Sequence, residues 1–279
     1  MQTRLSFPTP SLYRQIKRYK MELRNNTILI TGGTSGLGYE FAARLIDMGN
    51  TVIITGRDQA KLDQTKKKLP LAHTFKSDVS DPIAIKALYE SVIAEFPSLN
   101  ILINNAGEMR RLNLNDTSID LNDIVREIDI NLSGPIRMIQ QFLPHLKAQP
   151  NAAIINVTSG IALVPFPLSP IYGATKSGLR SYTKSLRVQL KNSHIKVIEL
   201  VAPGANTPLN DKFTNDVDSK MLMDPIKLIS AAIKGIQNDD DEIYPGIARV
   251  MKIMSRLAPG IIFNQMSKIA DKALAETNS

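Results

Sequence analysis

Three residues near the middle of the chain have side chains that could move a proton together. Ser159 stands just after an apolar run at 152–157, and Tyr172 and Lys176 lie four positions apart in a later segment. Residues four apart share one face of a helix, so the phenol and the ammonium would point the same way. A nearby positive charge lowers the pKa of a phenol, which is ordinarily about 10. With Ser159 holding a substrate oxygen, these groups would form an acid–base site, although a surface pair explains the Tyr–Lys spacing alone.

A glycine-rich turn near the start of the chain predicts a phosphate-binding loop. The sequence TGGTSGLG at 31–38 separates an apolar run at 27–31 from a helical segment that begins near residue 39. Backbone N–H groups at such a turn, and at the N-terminus of the helix after it, attract a pyrophosphate. The glycines do not follow the G-x-G-x-x-G spacing, and a purely structural turn is the alternative.

Short apolar segments alternate with amphipathic ones along the chain. We predict strands at 27–31, 51–55, 73–79, 99–104, 152–157, 195–201 and near 243–244. We predict helices at 39–48, 58–69, 82–95, 121–148 with a bend at Gly134–Pro135, 171–192 and 224–237. This alternation favours an α/β fold with helices on both faces of a mostly parallel sheet. Residues 23–279 are expected to form one domain, preceded by a basic N-terminal extension at 1–22.

Composition and charge exclude several classes of protein. The chain has 279 residues, no cysteine and three histidines without ligand-like spacing, so disulfides, thiolate sites and a metal site are not expected. Residues 1–20 carry five cations and no acid, which leaves only +3 of the net +8 for the rest and argues against nucleic-acid binding. That basic start could be a mobile tail, an organellar targeting segment or an extension upstream of a start at Met21. No secretory signal or transmembrane run is visible, and we expect a cytoplasmic location.

With these elements in order, the sequence resembles the short-chain dehydrogenase/reductase family and, more narrowly, its bacterial DltE-like oxidoreductases. The turn at 31–38 fits the family pattern T-G-x-x-x-G-x-G, and Asn104–Gly107 matches its N-N-A-G. Ser159 and the Y-x-x-x-K of Tyr172 and Lys176 match its catalytic residues, as Asn131 does in the middle helix. The resemblance covers roughly residues 25 to 210 and implies a Rossmann-type, doubly wound sheet of seven strands.

The resemblance also implies a role for each matching residue. Tyr172 would be the acid/base, Lys176 would lower its pKa and bind the nicotinamide ribose, and Ser159 would position the carbonyl. Asn131 would hold a water that links Lys176 to solvent. The implied cofactor-binding residues are Gly32, Thr34, Ser35, Gly36, Leu37, Gly38, Asp78, Val79, Asn105, Ala106, Gly107, Tyr172 and Lys176, together with Thr207.

The end of the second strand predicts which dinucleotide binds. An acid there would bond the ribose 2′-OH of NAD, whereas an arginine suits the 2′-phosphate of NADP. The sequence has Gly56 at the expected position of the acid and Arg57 directly after it. We therefore expect NADP, with NAD as the alternative, because Ser35 stands where many NADP-dependent relatives carry a second cation. Asp58 could reach the ribose, but capping the next helix is its simpler role.

The C-terminal third departs from the family pattern or carries none of it. Residues 202–208, APGANTP, fit the family's P-G-x-V-x-T in neither register, so Thr207 is a weaker candidate. A polar substrate lid is expected at about 207–224. Residues 248–275 form a basic amphipathic region, for which core packing, a subunit interface and peripheral membrane contact are all open explanations.

The sequence therefore predicts an oxidoreductase that transfers a hydride between NADP(H) and a small alcohol or carbonyl substrate. Two alternatives remain open: a catalytically silent nucleotide-binding regulatory or scaffold protein, and an epimerase or dehydratase of the same family. The family resemblance also implies a homodimer or homotetramer.

Overall fold

The computed structural model describes residues 21–213 and 215–275 and contains one seven-stranded sheet. Its strands are β1 (Thr27–Ile30), β2 (Thr51–Gly56), β3 (His73–Lys76), β4 (Leu99–Asn104), β5 (Ala152–Ser159), β6 (Ile195–Ala202) and β7 (Glu242–Ile243). All neighbouring strands are parallel, in the order β3-β2-β1-β4-β5-β6-β7. The predicted doubly wound, seven-stranded α/β fold is confirmed. The strand order reverses between β1 and β4, which is where folds of this kind bind their ligands.

Ten α-helices connect or follow these strands in the described residues. They are α1 (Gly36–Asp47), α2 (Gln59–Lys68), α3 (Pro82–Glu95), α4 (Leu121–Ile124), α5 (Arg126–Ile128), α6 (Gly134–Ala148), α7 (Pro170–Gln189), α8 (Pro225–Gln237), α9 (Ala248–Leu257) and α10 (Pro259–Ala275). Asp58, Asp81 and Asp224 accept backbone N–H bonds at the N-termini of α2, α3 and α8. Among the described helices, none is long and apolar enough to span a bilayer.

The sheet is buried on both faces because successive residues of its strands point to opposite sides. Ile28 and Ile54 belong to one core cluster with Phe41 of α1, whereas Leu29 belongs to the other with Phe142 of α6. This two-sided burial explains why the strands are continuously apolar in sequence. The core begins earlier than the predicted domain boundary, since Met21 is only 9% exposed. Residues 1–20 of the predicted extension lie outside the described residues.

The middle helical region differs from the single bent helix predicted at 121–148. It consists of the short helices α4 and α5, a π-helical turn at Asp129–Ser133, and the regular helix α6 from Gly134. A methyl group on Gly134 would lie 2.8 Å from the carbonyl oxygen of Val79, so only glycine allows this close approach. The backbone therefore changes its winding just before the predicted position of the bend.

One apolar face of the C-terminal region is not packed against the core of the chain. Helices α9 and α10 occupy 248–275, but Val250, Ile253 and Leu257 of α9 are 54%, 50% and 79% exposed. Packing against the core of the same chain therefore does not account for this apolar face.

Candidate active site

The glycine turn between β1 and α1 has a backbone that side chains would obstruct. Gly32 and Gly36 have φ angles of +68° and +55°, a region that side-chain-bearing residues rarely adopt. A Cβ atom on Gly38 would overlap the carbonyl oxygen of Gly32 and lie 2.5 Å from Nδ2 of Asn105. That amide donates to the carbonyls of Thr31 and Gly32 at 2.9 and 3.0 Å. These hydrogen bonds hold the turn against the loop after β4. The backbone N–H groups of the turn lie at the start of α1.

A cavity of about 550 Å³ lies at the carboxyl ends of the strands, across the point where the strand order reverses. Most of the predicted site residues line it: Gly32, Thr34, Ser35, Gly36, Leu37, Arg57, Asp78, Val79, Asn105, Ala106, Gly107, Ser159, Tyr172, Lys176 and Thr207. Gly38 and Asn131 are not in the lining, since both are buried behind it. The glycine turn and the side chains of Ser159, Tyr172 and Lys176 therefore face one continuous space.

Ser159, Tyr172 and Lys176 are brought together by β5 and α7. Ser159 is the last residue of β5, and its Oγ accepts the N–H of Ile161 at 3.3 Å in a 3₁₀ turn. Tyr172 and Lys176 lie in the first two turns of α7, on one face, as their spacing predicts. Nζ of Lys176 is 5.6 Å from the Tyr172 ring centroid and donates to the carbonyl of Val157 at 3.0 Å.

The protonation of this pair differs from the sequence-based expectation. Burial raises the pKa of Tyr172 to about 12, and a hydrogen bond with Ser159 opposes that shift only partly. Burial also lowers the pKa of Lys176 from 10.5 to about 8. The predicted lowering of the Tyr172 pKa by a neighbouring ammonium is therefore wrong for this structure. The reason is that burial disfavours both charged forms, the phenolate and the ammonium alike.

Asn131 lies in the π-helical turn, directly behind Gly107. Its Oδ1 accepts the N–H of Glu108 at 2.8 Å, and its Nδ2 donates to the Glu108 carbonyl at 2.7 Å. A methyl group on Gly107 would lie 3.3 Å from Asn131 Oδ1 and 3.6 Å from Lys176 Nζ. The asparagine thus fixes the loop after β4 close to Lys176.

A buried ion pair supports the same loop from the other side. Glu127, which is fully buried, accepts the N–H of Arg110 at 3.0 Å and its Nε at 3.2 Å. Arg110 also contacts the carboxylate of Asp123 at 2.5 Å, and its carbonyl accepts the hydroxyl of Ser169 at 2.8 Å. The sequence gives no sign of this pair, because its partners are 17 positions apart and carry no motif.

Two cations line the cavity near the end of β2, beside the carboxylates of Asp58 and Asp78. Arg57 follows β2 and is exposed to solvent. Lys61, in the first turn of α2, lines the same cavity and was missed by the sequence analysis. It lies four residues after Arg57, and that spacing was the only available signal. Asp58 caps α2 by accepting the N–H of Lys61 at 3.2 Å, as predicted.

The loop after β6 reaches the glycine turn. Thr207 is buried, and its Cβ would be 3.3 Å from a methyl group on Gly36. Asn210 holds the loop, donating from Nδ2 to the carbonyl of Ala205 at 2.7 Å. Whichever register applies to residues 202–208, this contact brings Thr207 to the cavity wall.

Across the described residues, His, Asp and Glu side chains form no group of three that could hold a metal ion.

Comparison with known proteins places this geometry in a family. A family model described as short chain dehydrogenase matches residues 26–218. The chain belongs to the short-chain dehydrogenase family. It is also 44% identical over 192 residues to the uncharacterized oxidoreductase DltE of Bacillus subtilis, covering 69% of this chain and 76% of that protein. The family resemblance and the DltE-like resemblance are confirmed.

Solved structures of this family have the same fold. A 3-ketoacyl-(acyl-carrier-protein) reductase of Brucella melitensis, complexed with NADH, is 29% identical with a TM-score of 0.70, over 77% of this chain and 92% of that one. A short chain dehydrogenase of Burkholderia cenocepacia, in complex with NADP, has a TM-score of 0.76 at 20% identity, over 88% and 99% of the two chains. As a short-chain dehydrogenase, this protein is an NAD(P)-dependent oxidoreductase.

Proposed function

We propose that this protein interconverts an alcohol and an aldehyde or ketone, with NADP(H) as the hydride carrier. The observation that carries the proposal is the single cavity that joins the glycine turn, Arg57 and the buried side chains of Ser159, Tyr172 and Lys176. The residues fit a dinucleotide, because glycines leave the turn open to a pyrophosphate and α1 begins at that turn. The nicotinamide, when bound, supplies or accepts the hydride.

Tyr172 is the proposed proton donor and acceptor. Its raised pKa keeps the phenol protonated at neutral pH, as the reduction of a carbonyl requires of a general acid. Ser159, which hydrogen-bonds the phenol, would hold the substrate oxygen beside it. Lys176 would contact the nicotinamide ribose and resupply the proton, and Asn131 would keep the loop at Gly107 in place beside it.

The preference for NADP is supported by two cations near the end of β2. Arg57 and Lys61 both line the cavity there, and a guanidinium matches phosphate geometry well. Asp58 is engaged in capping α2, which supports the assignment of its carboxylate to the helix rather than to a ribose. NAD remains the alternative, since the Brucella melitensis relative was solved with NADH.

Titrating both dinucleotides against Arg57→Ala tests this preference. We expect NADP to bind about tenfold or more weakly in the variant, because a charge-assisted pair is lost. NAD should bind almost unchanged. Lys86→Ala, which removes an exposed cation of α3 outside the cavity lining, is the matched control and should alter neither affinity. An equal loss for both dinucleotides in Arg57→Ala would contradict the phosphate role.

A substrate panel separates the oxidoreductase from its two alternatives. The wild-type chain is incubated with reduced cofactor and a series of aldehydes and ketones, and both cofactor oxidation and alcohol formation are measured. The proposal predicts one alcohol formed for each reduced cofactor consumed. Product without net cofactor oxidation would indicate an epimerase or dehydratase instead. Cofactor binding without turnover of any tested carbonyl or alcohol would favour the regulatory or scaffold protein.

A further inference from the structure

Helix α9 has two faces that meet very different surroundings. On its inner face, Ala248 is fully buried, and the sulfur of Met251 would lie 2.8 Å from a methyl group on Gly160, next to Ser159. Lys252 lies 4.0 Å from the Tyr244 ring centroid and 3.3 Å from Oε2 of Glu242. These contacts fix the helix on the molecule, so its outer face has a defined orientation.

The outer face is apolar and points into solvent. Val250, Ile253 and Leu257 are three and four positions apart and therefore share one side of the helix. They are 54%, 50% and 79% exposed, and Ile261 near the start of α10 is 61% exposed. We call Val250, Ile253 and Leu257 the α9 patch. A fixed helix that turns three neighbouring aliphatic side chains to solvent is typical of a binding surface.

The charges around the α9 patch indicate what covers it. Helix α9 contains three cations, Arg249, Lys252 and Arg256, and no acid; the acidic run at 239–242 precedes it, and Asp271 lies in α10. Arg249 and Arg256 are exposed and border the patch, whereas Lys252 is engaged by Glu242. An apolar stripe bordered by cations matches the interface of an anionic bilayer, which takes up the aliphatic side chains and attracts the arginines.

Two other occupants fit the charges less well. A second copy that met the same patch across a two-fold axis would bring Arg249 and Arg256 close to the same two arginines of that copy. Residues 1–20 of this chain carry five cations and no acid, so their charge does not complement the two arginines. We therefore propose that this protein docks on anionic membrane surfaces through the α9 patch and its two bordering arginines.

Vesicle co-sedimentation of the full chain tests the proposal. Phosphatidylcholine vesicles with and without phosphatidylglycerol are compared, and the variant Ile253→Ser with Leu257→Ser is compared with the wild type. We expect the wild type to bind the anionic vesicles and the double variant to bind them about tenfold or more weakly, since two aliphatic contacts are removed. Leu71→Ser with Ile83→Ser is the matched control, because those side chains are 72% and 80% exposed elsewhere, and it should bind like the wild type.

A second pair of variants tests the charges. Arg249→Gln with Arg256→Gln should weaken binding to anionic vesicles, whereas Lys86→Gln with Lys191→Gln, two exposed cations on other elements, should have little effect. All proteins retain residues 1–20, whose cations could adhere to vesicles by charge alone. Equal binding of the wild type and the Ile253/Leu257 variant would therefore overturn the proposal. Absence of binding, or a dimer that only the patch variant loses, would overturn it too. Because sedimentation requires no turnover, its outcome is independent of the proposed reaction.

Discussion

Tyr172 and Lys176 are both buried, and burial acts on their protonation in opposite directions. The pKa of Tyr172 rises to about 12 while that of Lys176 falls to about 8. As the pH rises, the lysine therefore loses its proton before the phenol does. A resting pair of phenolate and ammonium is therefore not formed.

The lowered pKa of Lys176 makes the stability of the protein depend on pH. Between about 8 and the ordinary 10.5, the unfolded chain binds more protons at this residue than the folded one. The contribution of this residue to the free energy of unfolding is therefore greatest above pH 10.5, where the lysine is neutral in both states. It falls as the pH decreases from 10.5 and is fully lost below about 8. We expect the free energy of unfolding of the wild type, relative to Lys176→Met, to rise between pH 8 and 10 by up to about 1.4 kcal/mol per pH unit.

Denaturant titrations of both proteins at closely spaced pH values measure this difference. The window stops at pH 10 because Tyr172 acts above it in the opposite direction, its pKa being raised from 10.0 to about 12. Lys191→Met is the control and removes an exposed lysine instead. A wild-type curve parallel to that of Lys176→Met would show that the lysine is not desolvated as described.

Residue types and spacing predicted which side chains meet in the cavity but not their protonation. The Ser159, Tyr172 and Lys176 pattern and the glycine turn each depend on local spacing, which the sequence displays directly. The pKa of Tyr172 depends on how much protein surrounds it, and residues far along the chain, such as Met109 and Phe213, pack in the same cluster. Lys61 was missed for a related reason, because only the path of α2 turns it toward the cavity.

At the scale of elements, the turn between β1 and α1 requires glycine at 38. A methyl group there would overlap the Gly32 carbonyl and crowd the amide of Asn105. We expect Gly38→Ala to destabilise the fold by about 1–3 kcal/mol, as overpacking does, and to weaken dinucleotide binding strongly. Gly260→Ala is the matched control, since nothing lies within 4 Å of a Cβ there. Thermal unfolding and cofactor titration measure both effects. A Gly38→Ala variant that behaved like the control would contradict the requirement for glycine at 38.

The loop after β4 depends on the ion pair of Arg110 and Glu127. Arg110→Met would leave the fully buried Glu127 with only a backbone N–H, and losing one partner of a buried pair costs about 3–5 kcal/mol. Arg126→Met is the control, because that arginine is 45% exposed and its pairs contribute about 0–1 kcal/mol. Chemical denaturation at neutral pH measures both. Similar losses for the two variants would contradict the special importance of Arg110.

Element positions were predictable wherever one physical signal dominated. Apolar runs located the strands, and Asp58 marked the start of α2 as its cap. The π-helical turn at Asp129–Ser133 carries no such signal, because it depends on how Asn131 and Gly134 pack against Glu108 and Val79. The third strand was predicted too long, since residues 77–79 leave the sheet to line the cavity.

At the scale of the whole molecule, the cavity exists only because two halves of the sheet meet. Its walls come from the glycine turn and the end of β2 on one side and from β5 and α7 on the other, across the reversal between β1 and β4. The sequence predicted this meeting because the family resemblance extends across both halves. It could not decide among the explanations for α9, because the exposure of its apolar face is a property of the assembled fold.

The central claim is that hydride transfer in this cavity needs the hydroxyl of Tyr172. The most direct measurement is the single-turnover rate of cofactor oxidation, with a carbonyl found active in the panel, for Tyr172→Phe and the wild type at equal cofactor saturation. We predict that the variant binds the reduced cofactor normally but loses at least about two orders of magnitude in rate, the usual contribution of a general acid. Tyr182→Phe, a half-buried tyrosine outside the cavity lining, should retain the wild-type rate. A Tyr172→Phe variant that oxidises the cofactor at the wild-type rate would contradict the account.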